Sequence, residues 1–365
     1  MIYFISFFMV RVIGVDPGSG SWDILGLDGD DDIFLDVSIP SKTILEDPAK
    51  LLSIIESNQP IDLVAAPSGH GIRLKPIAAM TDDDIAKANL RRSKDPSVMG
   101  VGRVLHMLKD AGVKGYVIPG VKQLNSVKHA FKYNRIDMGT ADKVCAVAFA
   151  IADQASTLKI PLASTGFIMV EVGMGFNAVI AVEGGKIIDG IGGSLGGMGF
   201  GTAGRLDGEL AYLLERITKN VIYSGGLSYI AGYADLSPKE LFLMAKKDQR
   251  IADAVSGFFH DMLQGIFSLL PSFADPANMQ EIVVSGRALT EIAGYLAAAL
   301  PKQYAFHVRT VNSIARISKT AAQGAAFIAN GLAGGKYKDL VTTMALEDST
   351  HDLLDDIYVG KLNFR

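Results

Sequence analysis

A pattern of short β-like runs occurs twice in this chain. Apolar segments at 11–15, 21–27 and 33–39 are punctuated by PGSG and DGDDD. Turn-rich punctuation between such runs reads as a β-meander. A second set follows at 166–172, 176–182 and 186–191, its last two members joined at Glu183-Gly184-Gly185. The sets begin at Val12 and Ile168. After the first come a helix at 49–56, a strand at 61–66, a helix at 101–109, a strand at 116–118 and a long helix at 141–155. Val144, Ala148 and Ile151 recur there at helical spacing. After the second come helical segments at 207–218, 238–246 and 252–269, then a strand at 281–284, a helix at 289–299, a strand at 306–308 and a closing helix at 320–329. The repeated order predicts an α/β protein of two similar domains, 1–160 and 161–335, facing each other across a cleft. The tail at 336–365 is more polar and predicts a helix packing back on the body.

Composition narrows the function. At 365 residues, two domains or three are expected. With 49% apolar and 20% charged residues, a disordered chain is excluded. Lys and Arg number 35 against 39 Asp and Glu, which argues against a general nucleic-acid binder. A lone Cys145 excludes a disulfide framework and any all-cysteine metal site within one chain. The six histidines show no metal-ligand spacing. The opening MIYFISFFMVRV is too short to span a bilayer and lacks a basic leader. It reads as a first strand, or as upstream of a true start at Met9. A cytoplasmic location is expected, with a small-molecule substrate, no nucleic acid, no membrane, and a homodimer left open.

The 39 glycines are clustered, and four clusters invite a chemical reading. In Gly14-Val15-Asp16-Pro17-Gly18-Ser19-Gly20-Ser21, an apolar strand runs into an acid and a small-residue turn. Gly18, Ser19 and Gly20 leave room for the backbone to approach a phosphate. Asp16 is suited to hold Mg²⁺ against it. The ordinary alternative is a tight hairpin with a turn aspartate. Glu171-Val172-Gly173-Met174-Gly175 occupies the equivalent place in the second meander, with Gly173 and Gly175 for a second phosphate and Glu171 as metal partner or water orienter. Two such turns at equivalent places are less expected by chance than either alone. Ser285-Gly286-Arg287 breaks a buried strand where an adenosine group could lie on the backbone. A simple strand–turn–helix join is the alternative. The run from Gly192 to Arg205 predicts a mobile loop that closes on ligand and presents Arg205 to a transferring phosphoryl group, against the alternative of a flexible surface loop. His70, Arg73 and Lys75, after a buried strand, suit an anionic carboxylate. Asp142 opens a long helix, where an acid often serves only the helix dipole.

Together with the final Ala322-Gln323-Gly324-Ala325-Ala326 helix, these segments resemble the acetate and sugar kinase, heat-shock protein and actin superfamily. Butyrate kinases look closest, including an archaeal family of predicted butyrate kinases. The resemblance covers the chain to about Gly335. It implies two ribonuclease H-like domains about a nucleotide cleft, ATP and Mg²⁺ as cofactors, Gly324 near the nucleotide, and Arg205 as the transition-state arginine. Several positions depart from the family pattern. Asp16 stands where acetate and butyrate kinases have Asn, and Asp23 where butyrate kinases have Lys. His70 stands for the substrate-site arginine and Glu171 for the family's histidine. Ile118-Pro119-Gly120 falls where that family has its catalytic Asp. Ser318-Lys319 stands where an acid is expected before the final helix. Gly139–Lys143 resembles the Gly-Ala-Asp-Arg of type III pantothenate kinases, which makes Asp142 a candidate catalytic base. The expected function is therefore ATP-dependent phosphorylation of a short-chain carboxylate to an acyl phosphate. The alternatives are a kinase acting on a hydroxyl with Asp142 as base, and a non-catalytic ATP-binding regulator.

Overall fold

The computed structural model describes residues 10–29, 31–90, 100–233, 236–286, 289–302, 304 and 306–360. The proposed N-terminal strand or alternative start, at residues 1–9, lies outside these.

The first half forms a six-stranded sheet from β1 (Arg11–Pro17), β2 (Ser21–Asp28), β3 (Asp32–Pro40), β4 (Leu63–Ala66), β5 (Lys75–Pro76) and β6 (Gly115–Val117). Its order is β3-β2-β1-β4-β6-β5. The second half forms a five-stranded sheet from β7 (Gly166–Val172), β8 (Asn177–Glu183), β9 (Lys186–Ile191), β10 (Glu281–Gly286) and β11 (His307–Thr310), in the order β11-β10-β7-β8-β9. In each sheet a three-strand antiparallel meander continues into two parallel strands, β1 to β4 to β6 and β7 to β10 to β11. The repeated order in the sequence is thus a repeated sheet.

Alternation along the strands decides what each face meets. Ile13, Val15, Trp22 and Ile24 pack with Leu51, Ile55, Val104 and Leu108 of outer helices Ala49–Ser57 and Val101–Asp110. On the second sheet, Ile168, Val170, Ile282 and Val284 pack with Phe258, Met262 and Ile266 of the helix Gln249–Leu269. The opposite faces, with Val12, Leu25 and Leu27 from one sheet and Phe167, Met169 and Ile180 from the other, enclose a common core.

Two helices fill that core, Ala141–Leu158 and Thr320–Leu332. Every residue from Thr320 to Gly331 is buried, as expected of a helix covered on all sides. Its small residues let it approach its neighbours. A Cβ on Gly324 would lie 1.7 Å from the carbonyl oxygen of Cys145, and one on Gly14 of β1 would lie 2.2 Å from the amide nitrogen of Ala326. Gly324, expected near the nucleotide, is instead the point at which the two central helices touch.

Other expectations shift. The segment expected as one helix at 207–218 is two short ones, Gly208–Leu213 and Lys219–Ile222. Among the described residues of the tail, only Lys338–Met344 forms an α-helix, and it packs on both central helices. The helix Asp82–Asn89, absent from the sequence reading, is opened by a capping box between Thr81 and Asp84. No helix among the described residues is long and apolar enough to cross a membrane.

Candidate functional site

A cleft of about 310 Å³ lies where β1 and β7 end, between the two halves. The turns Gly18–Gly20 and Gly173–Gly175 both line it, and a Cβ on Gly175 would lie 3.7 Å from Ser19 Oγ. Asp16, at the end of β1, is buried beside the first turn. Its Oδ2 accepts from Lys319 Nζ at 3.0 Å, and its Oδ1 has no partner among the described residues. Burial lifts its carboxyl above the usual range, with Lys319 opposing. Asp23, on β2, accepts from the backbone N–H of Lys319 at 3.0 Å and from Ser21 and Ser38.

A second charged group stands opposite. Ala141 N–H donates to Gly69 O at 3.1 Å, which fixes the start of the long central helix over the cleft. Asp142 follows. Lys143 Nζ bridges Asp142 Oδ2 at 2.6 Å and Glu171 Oε2 at 2.8 Å, and Thr140 Oγ1 donates to Asp142 Oδ1. Burial disfavours charge on all three. The two acids nevertheless hold the ammonium well above its usual range. Lys143 and Thr140 hold Asp142 below the usual carboxylate range. Burial prevails only at Glu171, which is lifted.

Asp16, Asp23, Asp142 and Glu171 face two ammoniums, Lys143 and Lys319, so the acids outnumber the cations paired with them. That excess and the orphaned Asp16 Oδ1 fit one divalent cation. Glu171, held by Lys143, is not free in the same way.

The remainder of the wall is mixed. Leu90, Ile136, Phe176, Ile222 and Tyr223 are its apolar lining, with Phe176 edge-on to Tyr223 at 5.0 Å. Lys219 and His70 add polar groups. Burial, then Lys219, pushes the His70 imidazole down to about 4, so it is neutral at pH 7.

Some expected residues are elsewhere. Of the anion trio only His70 reaches the cleft. Arg73 is exposed, and Lys75 pairs with Asp84 at 2.7 Å on the helix Asp82–Asn89. Arg205 is 54% exposed on the far side of the glycine run, donating to Gln264 at 3.0 Å. The run itself is packed. Ser194 N–H and Oγ donate to Asp137 Oδ2 at 2.8 and 2.9 Å. A Cβ on Gly197 would lie 2.4 Å from Asp261 Cβ, and one on Gly199 would lie 2.0 Å from Gly175 O. Close packing accounts for these glycines. Gly286 lines the cleft at φ +97°, where a Cβ would meet Val172 O at 2.2 Å. Ser285 is buried behind it, its Oγ without a partner among the described residues. Arg287 lies outside the described residues. Lys219, Tyr223 and Asp137 were not anticipated. Lys319 was visible only as a departure from an expected acid.

A sequence profile described as "Protein of unknown function (DUF1464)" matches residues 14–359. The chain belongs to that family. A comparison with curated proteins finds no match. Among solved structures, it is similar to a propionate kinase from Francisella tularensis subsp. tularensis SCHU S4, at 15% identity, over 87% of this chain and 99% of that one, with a TM-score of 0.61. It is also similar to acetate kinases from Entamoeba histolytica (14% identity, 79% and 85% covered, TM-score 0.57) and Porphyromonas gingivalis (15%, 76% and 83%, TM-score 0.53). This DUF1464 chain therefore has the duplicated fold of the acetate and sugar kinase superfamily. At such identities the likeness speaks for the fold alone.

Proposed function

We propose that the protein transfers the γ-phosphoryl group of ATP to a small acceptor in the cleft. The observation that carries this is the orphaned carboxylate oxygen of Asp16, set between two glycine turns at equivalent strand ends. The same reading takes each half as a ribonuclease H-like domain, 1–160 and 161–335. The turns Gly18–Gly20 and Gly173–Gly175 would receive the phosphates through backbone N–H groups, and Gly286 would leave room for the nucleoside. Asp16 would hold a magnesium ion, which when bound neutralises charge on the phosphates.

Asp142 favours a hydroxyl acceptor. Its carboxylate lines the cleft, ionised and oriented by Thr140 and Lys143. The acceptor oxygen would attack the γ-phosphorus while the bond to the β-phosphate oxygen breaks. ADP would leave, and the acceptor proton would pass to Asp142. The apolar part of the cleft lining suits an acceptor with a short hydrocarbon body. A short-chain carboxylate, the expectation from the butyrate kinase resemblance, is the second reading. Lys219 on the cleft wall favours it, and an ionised carboxylate needs no base.

The test is ADP release from Mg²⁺–ATP with a panel of short alcohols, hydroxy acids, sugars and carboxylates including butyrate, with hydroxylamine present. ADP release without hydroxamate supports the hydroxyl reading, and hydroxamate supports the carboxylate. No nucleotide binding by calorimetry at millimolar ATP sinks both.

A further inference from the structure

We propose that the Lys319 ammonium is the cation that receives the phosphates on the cleft floor. This rests on the phosphotransfer reading above and adds a residue to it. Lys319 is the N-cap of the central helix Thr320–Leu332, so its backbone is set by the core of the molecule. Its N–H donates to Asp23 at 3.0 Å, which fixes where the side chain starts. The side chain then reaches back across the end of β1. Nζ lies 3.0 Å from Asp16 Oδ2 and 3.4 Å from Asp23 Oδ2. A Cβ on Gly18 would fall 2.7 Å from the same nitrogen. The ammonium therefore lies directly over the first glycine turn and lines the cleft with it.

Two buried carboxylates beside that turn would repel a polyphosphate. Lys319 offsets them with a compact point charge on a flexible stem, set directly over the turn. It also competes with a divalent cation for Asp16. Removing the lysine uncovers both carboxylates, so polyphosphate binding weakens and metal binding at Asp16 tightens whether it holds phosphate or only offsets the acids. The two roles separate when Asp23 is also made Asn: a loss caused by uncovered charge is largely restored, whereas the loss of a phosphate-holding donor persists.

The experiment uses the full chain, Lys319→Met and Lys319→Arg, with folding checked by circular dichroism. Lys319→Gln replaces the Met variant if that one does not fold. Inorganic tripolyphosphate in EDTA is titrated by calorimetry, and Mn²⁺ without nucleotide is titrated by electron paramagnetic resonance. Lys319→Met should weaken tripolyphosphate by at least about tenfold, the scale of one charge-assisted hydrogen bond, and tighten Mn²⁺. Lys319→Arg should stay within a few-fold of wild type for tripolyphosphate. Unchanged tripolyphosphate affinity in a folded Lys319→Met or Lys319→Gln overturns the assignment, as does recovery to within a few-fold of wild type when Asp23→Asn is added to either variant. If the wild type itself binds neither tripolyphosphate nor ATP, the phosphotransfer reading falls first and takes Lys319 with it.

Discussion

Arginine 205 and aspartate 142 show how a residue's meaning depends on where the chain carries it. Both were singled out by motif, yet only Asp142 lines the cleft. Arg205 meets Asp261 and Gln264 on the helix Gln249–Leu269, half in solvent. A pair this exposed contributes little. Arg205→Ala should therefore leave turnover within a few-fold of wild type and ATP affinity unchanged. Asp142→Asn should retain ATP affinity and lose on the order of 10²-fold or more in kcat with a hydroxyl acceptor, the scale of a positioned base. Steady-state kinetics on the two variants, with direct ATP titration, decide the matter. A large loss from Arg205→Ala would mean that the glycine run moves far enough to bring the guanidinium into the cleft.

Helices and strands were more legible than side-chain partnerships. β1 and β7 could be read because buried strands are continuous apolar runs, and their turns because Gly and Ser punctuate them. The closing helix was legible as a helix. That it lies between the sheets and packs on β1, β2 and β4 of the other half was not, since pairing across some 300 residues leaves no local pattern. The Lys319–Asp16 contact was hidden for the same reason. Arg73 and Lys75 are neighbours in sequence, but Lys75 begins an edge strand and is claimed by Asp84 on a helix the reading had not placed. The glycines divide likewise. Gly324→Ala puts a methyl into the Cys145 carbonyl, between two helices with no slack, and should cost about 3 kcal/mol or more. Gly294→Ala, on the exposed face of the helix Leu289–Ala299 with nothing within 4 Å, should stabilise by about 0.5–1 kcal/mol. Denaturant unfolding of both variants tests the pair. Equal effects would show that the central helices have room to part.

For the molecule as a whole, the tail is tied to the first half by a chain of groups that titrates. Ser349 Oγ accepts from Leu74 N–H at 2.9 Å, and Lys87 pairs with Asp352 at 2.5 Å. Between these ties and Tyr358, Lys132 Nζ lies 3.1 Å from His351 Nδ1, His351 Nε2 lies 3.1 Å from His129 Nδ1, and His129 Nε2 lies 3.1 Å from Asp356. One assignment satisfies every contact. Lys132 donates to a neutral His351, His351 donates to His129, and His129 donates to Asp356. Lys122, Asp352 and Asp355 are the other charges about this chain, and Lys122 donates to the carbonyl of Asp355. Burial, with Lys132 alongside, holds His351 below its ordinary 6.5. The folded protein thus binds fewer protons there than the unfolded chain. Its contribution to stability is complete above about pH 6.5 and is lost as pH falls through the folded value. His70, pushed down to about 4, acts in the same direction inside the cleft. Acidification from pH 7.5 to 5 should therefore loosen the tail, while the lifted carboxyls of Asp16 and Glu171 oppose the His70 effect in the cleft. Backbone hydrogen exchange over residues 349–358, corrected for intrinsic chemistry, should speed up relative to β1 and β7. His351→Gln, which does not titrate, should remove most of that pH dependence from the tail. Tail exchange that is equally slow at both pH values in the wild type would show that the tail is held by its other contacts and that the imidazole pair carries no pH response.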